Sequence, residues 1–318
     1  MRRVRKVKEI QFLALVVRLT AAFWATLLIL DPALLVSGGA RAASLNLLAS
    51  ILPVSRSVQI PGPPPTTFAV ILNAGSFTAT NVRITLVNTG LPFTFTYQET
   101  DPITNLPFGP LNPGVDIPPH SVKTFLMVMM ATGEIPPTNL RFNFQGDNTS
   151  PAPLFPGVNT FLFSSSLTPV PDPVALSATC KSDDNISQTV NIPGSGGIGV
   201  FAAATVNLGT GTTMTVFPSS FVPSIGAGTK FLPVLLSICQ TDPGTGACLA
   251  PPTPSVTLFI GAGATPTFAV FVHQVGPTEI EFRPELNRIF VQFVENTTGL
   301  LRGLTSVAVR NHDPICAP

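Results

Sequence analysis

Several short motifs occur twice in this chain, in the same order. Val58-Gln59-Ile60-Pro61-Gly62 returns as Val190-Asn191-Ile192-Pro193-Gly194, and Asn73-Ala74-Gly75 as Asn207-Leu208-Gly209. Gln98 with Asp101-Pro102 matches Gln240 with Asp242-Pro243, and Thr124-Phe125 matches Thr267-Phe268. Arg141-Phe142-Asn143-Phe144 matches the stretch from Arg288 to Phe293. The spacing between partners grows slowly along the chain, as small loop insertions would produce. Two copies of one domain therefore explain the sequence better than one large domain. We expect copy one at 43–166 and copy two at 174–318.

Period-two patterning sets the fold type. Val82 to Val87, Phe93 to Tyr97 and Leu140 to Phe144 alternate apolar and polar side chains, as does Ile289 to Val294. Such strands bury one face and wet the other. Phe125 to Met130, Val234 to Leu236 and Phe268 to Val272 are apolar throughout and read as inner strands of a two-layer core. Prolines and glycines cluster between these runs, at Pro61 to Pro65, Pro107 to Pro113, Pro136-Pro137, Gly194 to Gly197 and Pro251 to Pro254. Because proline removes a ladder donor, these clusters are expected in breaks. The reading is all-β: two tandem immunoglobulin-like antiparallel β-sandwiches, each of about seven strands over about 120 residues. An eight-stranded jelly roll is the competing topology. Residues 167–173 hold three prolines and are expected to form a stiff spacer holding the sandwiches end to end as a rod.

The first 42 residues read as a secretory signal peptide. Arg2, Arg3, Arg5, Lys6 and Lys8 form a basic head, an apolar run follows, and Ala40-Arg41-Ala42 supplies the small-residue cleavage site. Asp31-Pro32 interrupts the apolar run, which favours cleavage over a retained membrane anchor. The whole chain has 17 Lys+Arg and 16 Asp+Glu; the leader holds seven and two of these, leaving ten and fourteen, a formal −4. That balance gives no basic footprint for nucleic acid, and no membrane association is expected after cleavage. The leader also takes the only tryptophan, Trp24. A surface with few charges, carried by Thr, Ser, Asn and Gly, suits packing against neighbours or a cell envelope. An exported location follows: extracellular, cell surface or periplasmic.

Phe68 to Gly75 followed by Ala79-Thr80-Asn81-Val82-Arg83-Ile84 resembles the strand–turn–strand of bacterial conserved-repeat and CARDB-type Ig-like modules. Copy two keeps Asn207-Leu208-Gly209 but lacks the Asn-Val pair, having Thr212-Thr213-Met214-Thr215-Val216 instead. The resemblance implies an exported sandwich of a structural or adhesive kind and carries over no catalytic residue.

All four cysteines, Cys180, Cys239, Cys248 and Cys316, lie in copy two. An even number in an exported chain points to disulfides. Cys239 and Cys248 flank a turn-rich interval between the strand-like runs Val234 to Ile238 and Val256 to Ile260, so they are paired first; Cys180 with Cys316 follows by elimination. The spacing offers no zinc knuckle.

Chemistry is sparse. His120, His273 and His312 lack a partner at metal-ligand spacing, and no G-x-S-x-G elbow is present. Gly194-Ser195-Gly196-Gly197 lacks the lysine and helix of a phosphate loop. Asp183-Asp184-Asn185 is a weak calcium candidate, since three consecutive ligands rarely converge on one ion and a solvated turn is the plainer reading. Met127, Met129 and Met130 read as core or sheet-face residues. No catalytic residue, metal or cofactor is assigned. The expected function is a non-enzymatic structural or adhesive surface protein of a bacterium. The alternative is an extracytoplasmic binding module for a carbohydrate or peptide. Expected partners are a protein or cell-envelope surface, or a second copy of the chain.

Overall fold

The computed structural model describes residues 47–180, 188–194 and 196–312. The described residues are all-β, built of mainly antiparallel sheets packed as two sandwiches. In the first, one sheet runs β1 (Leu47–Leu52), β3 (Thr66–Asn73), β8 (Ser121–Ala131), β5 (Phe93–Thr100), β6 (Pro107–Leu111). Facing it are β2 (Ser55–Gln59), β10 (Thr160–Ser166), β9 (Ile135–Gln145), β4 (Ala79–Leu86) and β7 (Val115–Ile117). The second sandwich repeats this order. Its first sheet is β11 (Pro173–Ala178), β13 (Ile198–Asn207), β19 (Thr267–Gln274), β17 (Val234–Thr241). Its other sheet is β12 (Thr189–Ile192), β21 (Leu301–Asn311), β20 (Arg288–Glu295), β14 (Thr212–Ser219), β18 (Val256–Ile260). A small hairpin, β15 (Phe221–Val222) with β16 (Ala227–Gly228), is added in the second. Apart from edge strand β6, the two sandwiches correspond strand for strand, including the parallel pairs β2–β10 and β12–β21.

Each sandwich exceeds the seven strands expected, because short edge strands complete both sheets. Proline reading was too strict here. Pro107 opens edge strand β6, and Pro136-Pro137 lie inside β9. They sit where β9 pairs only with β10, beside a register shift, so the missing N–H groups break no central ladder.

The two cores are separate and similarly made. Phe125, Met127, Met129, Phe144, Phe161 and Phe163 anchor the first; Phe268, Val270, Val272, Ile289, Val291 and Phe293 anchor the second. Complete burial of such a side chain stabilises by about 1.5–3 kcal/mol. Central strands β8 and β19 are apolar on both faces, yet of the apolar side chains of β8 only Phe125, Met127 and Met129 are buried, and Met130 is exposed.

The expected stiff spacer at 167–173 is only partly free: Leu167, Thr168 and Pro169 are exposed, but the rest is packed. Val170, Pro171, Asp172 and Pro173 are buried, and the Val170 and Asp172 carbonyls accept from Thr210 and Leu208. The chain can pass this close because residue 209 is glycine: a Cβ there would lie 2.1 Å from the Val170 oxygen. A third apolar cluster then joins the two sandwiches. Val54 and Leu162 of the first pack with Val222, Ala227, Phe290 and Leu304 of the second.

Candidate functional site

Three residue types that recur in both copies prove to be corner fittings. Asn73 closes the β3–β4 corner: its Nδ2 donates to the Ile117 carbonyl at 2.9 Å and its Oδ1 accepts from Gly75 N at 3.0 Å. Asn207 does the same with Ile260 at 3.0 Å and Gly209 at 3.1 Å. Asp101 Oδ1 accepts from Thr104 N and Oγ1, as Asp242 Oδ1 does from Thr245. Hydrogen bonds from these threonines hold both carboxyls below their ordinary range. The Thr100–Thr124 hydroxyl pair, 2.6 Å apart, recurs as Thr241–Thr267 at 2.7 Å. These residues build the fold rather than a reaction centre.

The densest polar constellation lies at the junction of the sandwiches. Asp172, buried, accepts from Arg56 Nε at 2.9 Å and from Ser57 N at 2.8 Å. Burial raises its carboxyl above the ordinary value, and Arg56 offsets only part of that. Arg302 Nε donates to Glu295 at 3.0 Å, while its Nη1 reaches Ser164 at 3.3 Å across the junction. Desolvation pushes Glu295 up, but hydrogen bonds from Thr298 and Arg302 outweigh it and hold the carboxyl down. Ser55 Oγ accepts from Leu304 N at 2.9 Å. Sequence reading missed this junction. Its one signal was a charge, Asp172, placed among prolines and apolar residues.

Cys239 and Cys248 form a disulfide with Cα atoms 5.6 Å apart. The interval between them is not a hairpin joining β17 to β18, because those strands lie in opposite sheets. Instead the chain folds back along β17, bridging Thr241 to Cys248 and Ile238 to Thr253. It takes the place β6 has in copy one. Cys180 is exposed, and its expected partner Cys316 lies outside the described residues. Asp183, Asp184, Asn185 and Ser195 also lie outside them, as does the leader.

The histidines stand on separate elements. His120 occupies the β7–β8 turn with φ of 52°, His273 is exposed on β19, and His312 follows β21. Among the described residues no group of three His, Cys, Asp or Glu side chains could hold a metal ion. None of their helices is long and apolar enough to cross a membrane.

No protein-family model matches the chain, and no curated protein does. Solved structures give loose likenesses. The C-terminal domain of the AgI/II polypeptide BspA of Streptococcus agalactiae is 10% identical over 83% of this chain and 100% of that one, with a TM-score of 0.24. A Porphyromonas gingivalis protein of unknown function is 10% identical over 82% and 99%, with a TM-score of 0.23. A family 123 glycoside hydrolase from Clostridium perfringens is 16% identical; the match covers 38% of this chain and 27% of the hydrolase, with a TM-score of 0.23. Superpositions this loose carry no weight for function.

Proposed function

We propose that the chain is a non-enzymatic structural or adhesive module of a bacterial surface, exported by its leader. The observation that supports this most is the junction. Two sandwiches are joined by a buried apolar cluster and by half-buried Arg56 on the buried Asp172, rather than hung on a tether. A block of that kind holds its outer faces in fixed relative position, which a scaffold or contact module requires. The local disulfide fits an oxidising compartment.

A peptide-binding role is the second reading, and one feature favours it. Edge strand β18, Val256-Thr257-Leu258-Phe259-Ile260, carries no charge and exposes Phe259 at 68%. An uncharged apolar edge can accept a partner strand. Both readings are tested on whole cells. Protease shaving should release peptides of 47–312, and the exported chain should begin at Ala43 or a near neighbour. Deletion of the gene should lower attachment to the host surface or matrix. A chain retained inside the cell would reject the proposal. Export with unchanged attachment, plus a saturable thermal shift with a peptide, would favour the second reading.

A further inference from the structure

The outward faces of two equivalent sheets differ along one row. On β1-β3-β8-β5, cross-strand pairing sets Leu52 beside Phe68, Phe68 beside Leu126 and Leu126 beside Gln98. On β11-β13-β19-β17 the same pairing sets Ala178 beside Ala202, Ala202 beside Ala269 and Ala269 beside Cys239. The Asn73/Asn207 corners and the paired threonines fix the equivalence. Three large apolar side chains in copy one are thus three alanines in copy two. Their strand neighbours Ala69, Phe125, Ala203 and Phe268 are buried in the cores, so both rows face outward.

Copy one therefore presents a ridge and copy two a trough. Val200 and Phe271 border the trough on one side and Leu176 on the other. Strand alternation places no Asp, Glu, Lys or Arg on the outward side of any of these eight strands. Burying the two faces against each other would desolvate no formal charge.

We propose that the Leu52–Phe68–Leu126 ridge of one chain seats in the Ala178–Ala202–Ala269 trough of a second copy. The contact stands whether or not the chain is an adhesin. Four strands about 4.8 Å apart and about seven residues long give a flat footprint of roughly 450 Å² per side. Stable complexes bury about 800 Å² per partner, so this contact belongs to the transient class and needs high local concentration. Ridge and trough lie on different sandwiches, which makes the contact head-to-tail, with a ridge and a trough left over at the ends of each short chain of copies.

Sedimentation velocity on the full chain, from about 1 to 200 μM, tests this in the range of transient contacts. The wild-type mass should rise at least about twofold across that range. Leu126→Arg and Ala202→Arg should each stay monomeric with near-native melting. Their equal mixture should form a 1:1 dimer and nothing larger, since one keeps the trough and the other the ridge. Should Leu126→Arg misfold, Gln98→Lys in the same row replaces it. Association of Ala202→Arg alone, a monomeric mixture, or a wild-type monomer throughout would overturn the proposal. Wild-type binding to phosphatidylcholine vesicles without self-association would overturn it too, assigning the face to lipid.

Discussion

Phe290 is the anchor of the junction, and its removal should uncouple the sandwiches. Its side chain is fully buried between two glycines, one from each copy. A Cβ added at Gly157 would lie 2.8 Å from its Cε1, and one at Gly228 would lie 2.6 Å from its Cε2. Buried Phe→Ala substitutions cost about 3–5 kcal/mol. For a chain of this size each kcal/mol moves Tm by roughly 2–4 °C, so Phe290→Ala should lower it by about 10 °C. Calorimetry should show one transition in the wild type and a split or broadened pair in the variant, because the junction couples the two cores. Gly157→Ala supplies the cross-check. In the wild type it carries backbone strain from a φ of +76° and a collision with the ring, together about 2–4 kcal/mol. On the Phe290→Ala background the collision is gone and only about 1 kcal/mol should remain. A Tm shift below about 2 °C for Phe290→Ala, or strict additivity of the two substitutions, would refute the reasoning.

Removing the Cys239–Cys248 bond opens a loop of sequence separation 9, worth about 2–3 kcal/mol in the chain-entropy model. On the Phe290→Ala background, where the two transitions separate, the Cys239→Ala/Cys248→Ala double variant should lower the second sandwich's transition and leave the first nearly unmoved; equal shifts in both would count against it. Asp172 has a pKa raised by burial, so the folded state holds its proton to higher pH than the unfolded chain. Its contribution is full below the unfolded value near ~3.9 and is lost as pH rises through the raised folded value. Asp172→Asn keeps an acceptor for Ser57 N–H and should flatten that part of the stability–pH curve; an unchanged slope would reject the assignment. Asp101 and Asp242, both lowered by threonine hydrogen bonds, act in the opposite sense: their contribution is present above about 3.9 and lost as pH falls through the folded values. Thr104→Val and Thr245→Val should each raise the partner carboxyl's titration point in NMR; no change would show that the turns do not set it.

The corners were legible in the sequence because side-chain chemistry alone makes them. Asn73 and Asn207 must cap a turn wherever the strands go, and so must Asp101 and Asp242. Register was less legible. Gln98 looks like the partner of Gln240, yet the threonine pairs place it opposite Leu126, where copy two has Cys239 opposite Ala269. Arg141 looks like the partner of Arg288. Pairing of Ile84 with Phe144 and Val216 with Phe293 slips the match by two residues, aligning Arg141 with Phe290. A slip of two preserves the in–out alternation, so hydrophobic period cannot detect it. The packed junction was also hidden, because proline content describes local stiffness and says nothing about what packs over the segment.

That corrected alignment explains how a duplicated fold makes an asymmetric molecule. Two core anchors are kept: Phe125 and Phe268, Phe144 and Phe293 fill corresponding places in the two cores. Outward positions diverge in ways that change what each copy can touch. Where copy one exposes Arg141, copy two carries Phe290, the residue that locks the junction. An arginine at position 290 would carry its guanidinium into the apolar cluster between Gly157 and Gly228, and an unpaired charge buried there costs several kcal/mol. The Leu126-to-Ala269 row differs by the same logic, bulk on one copy answered by small residues on the other. The core therefore specifies the sandwich, and single outward substitutions decide what each sandwich touches.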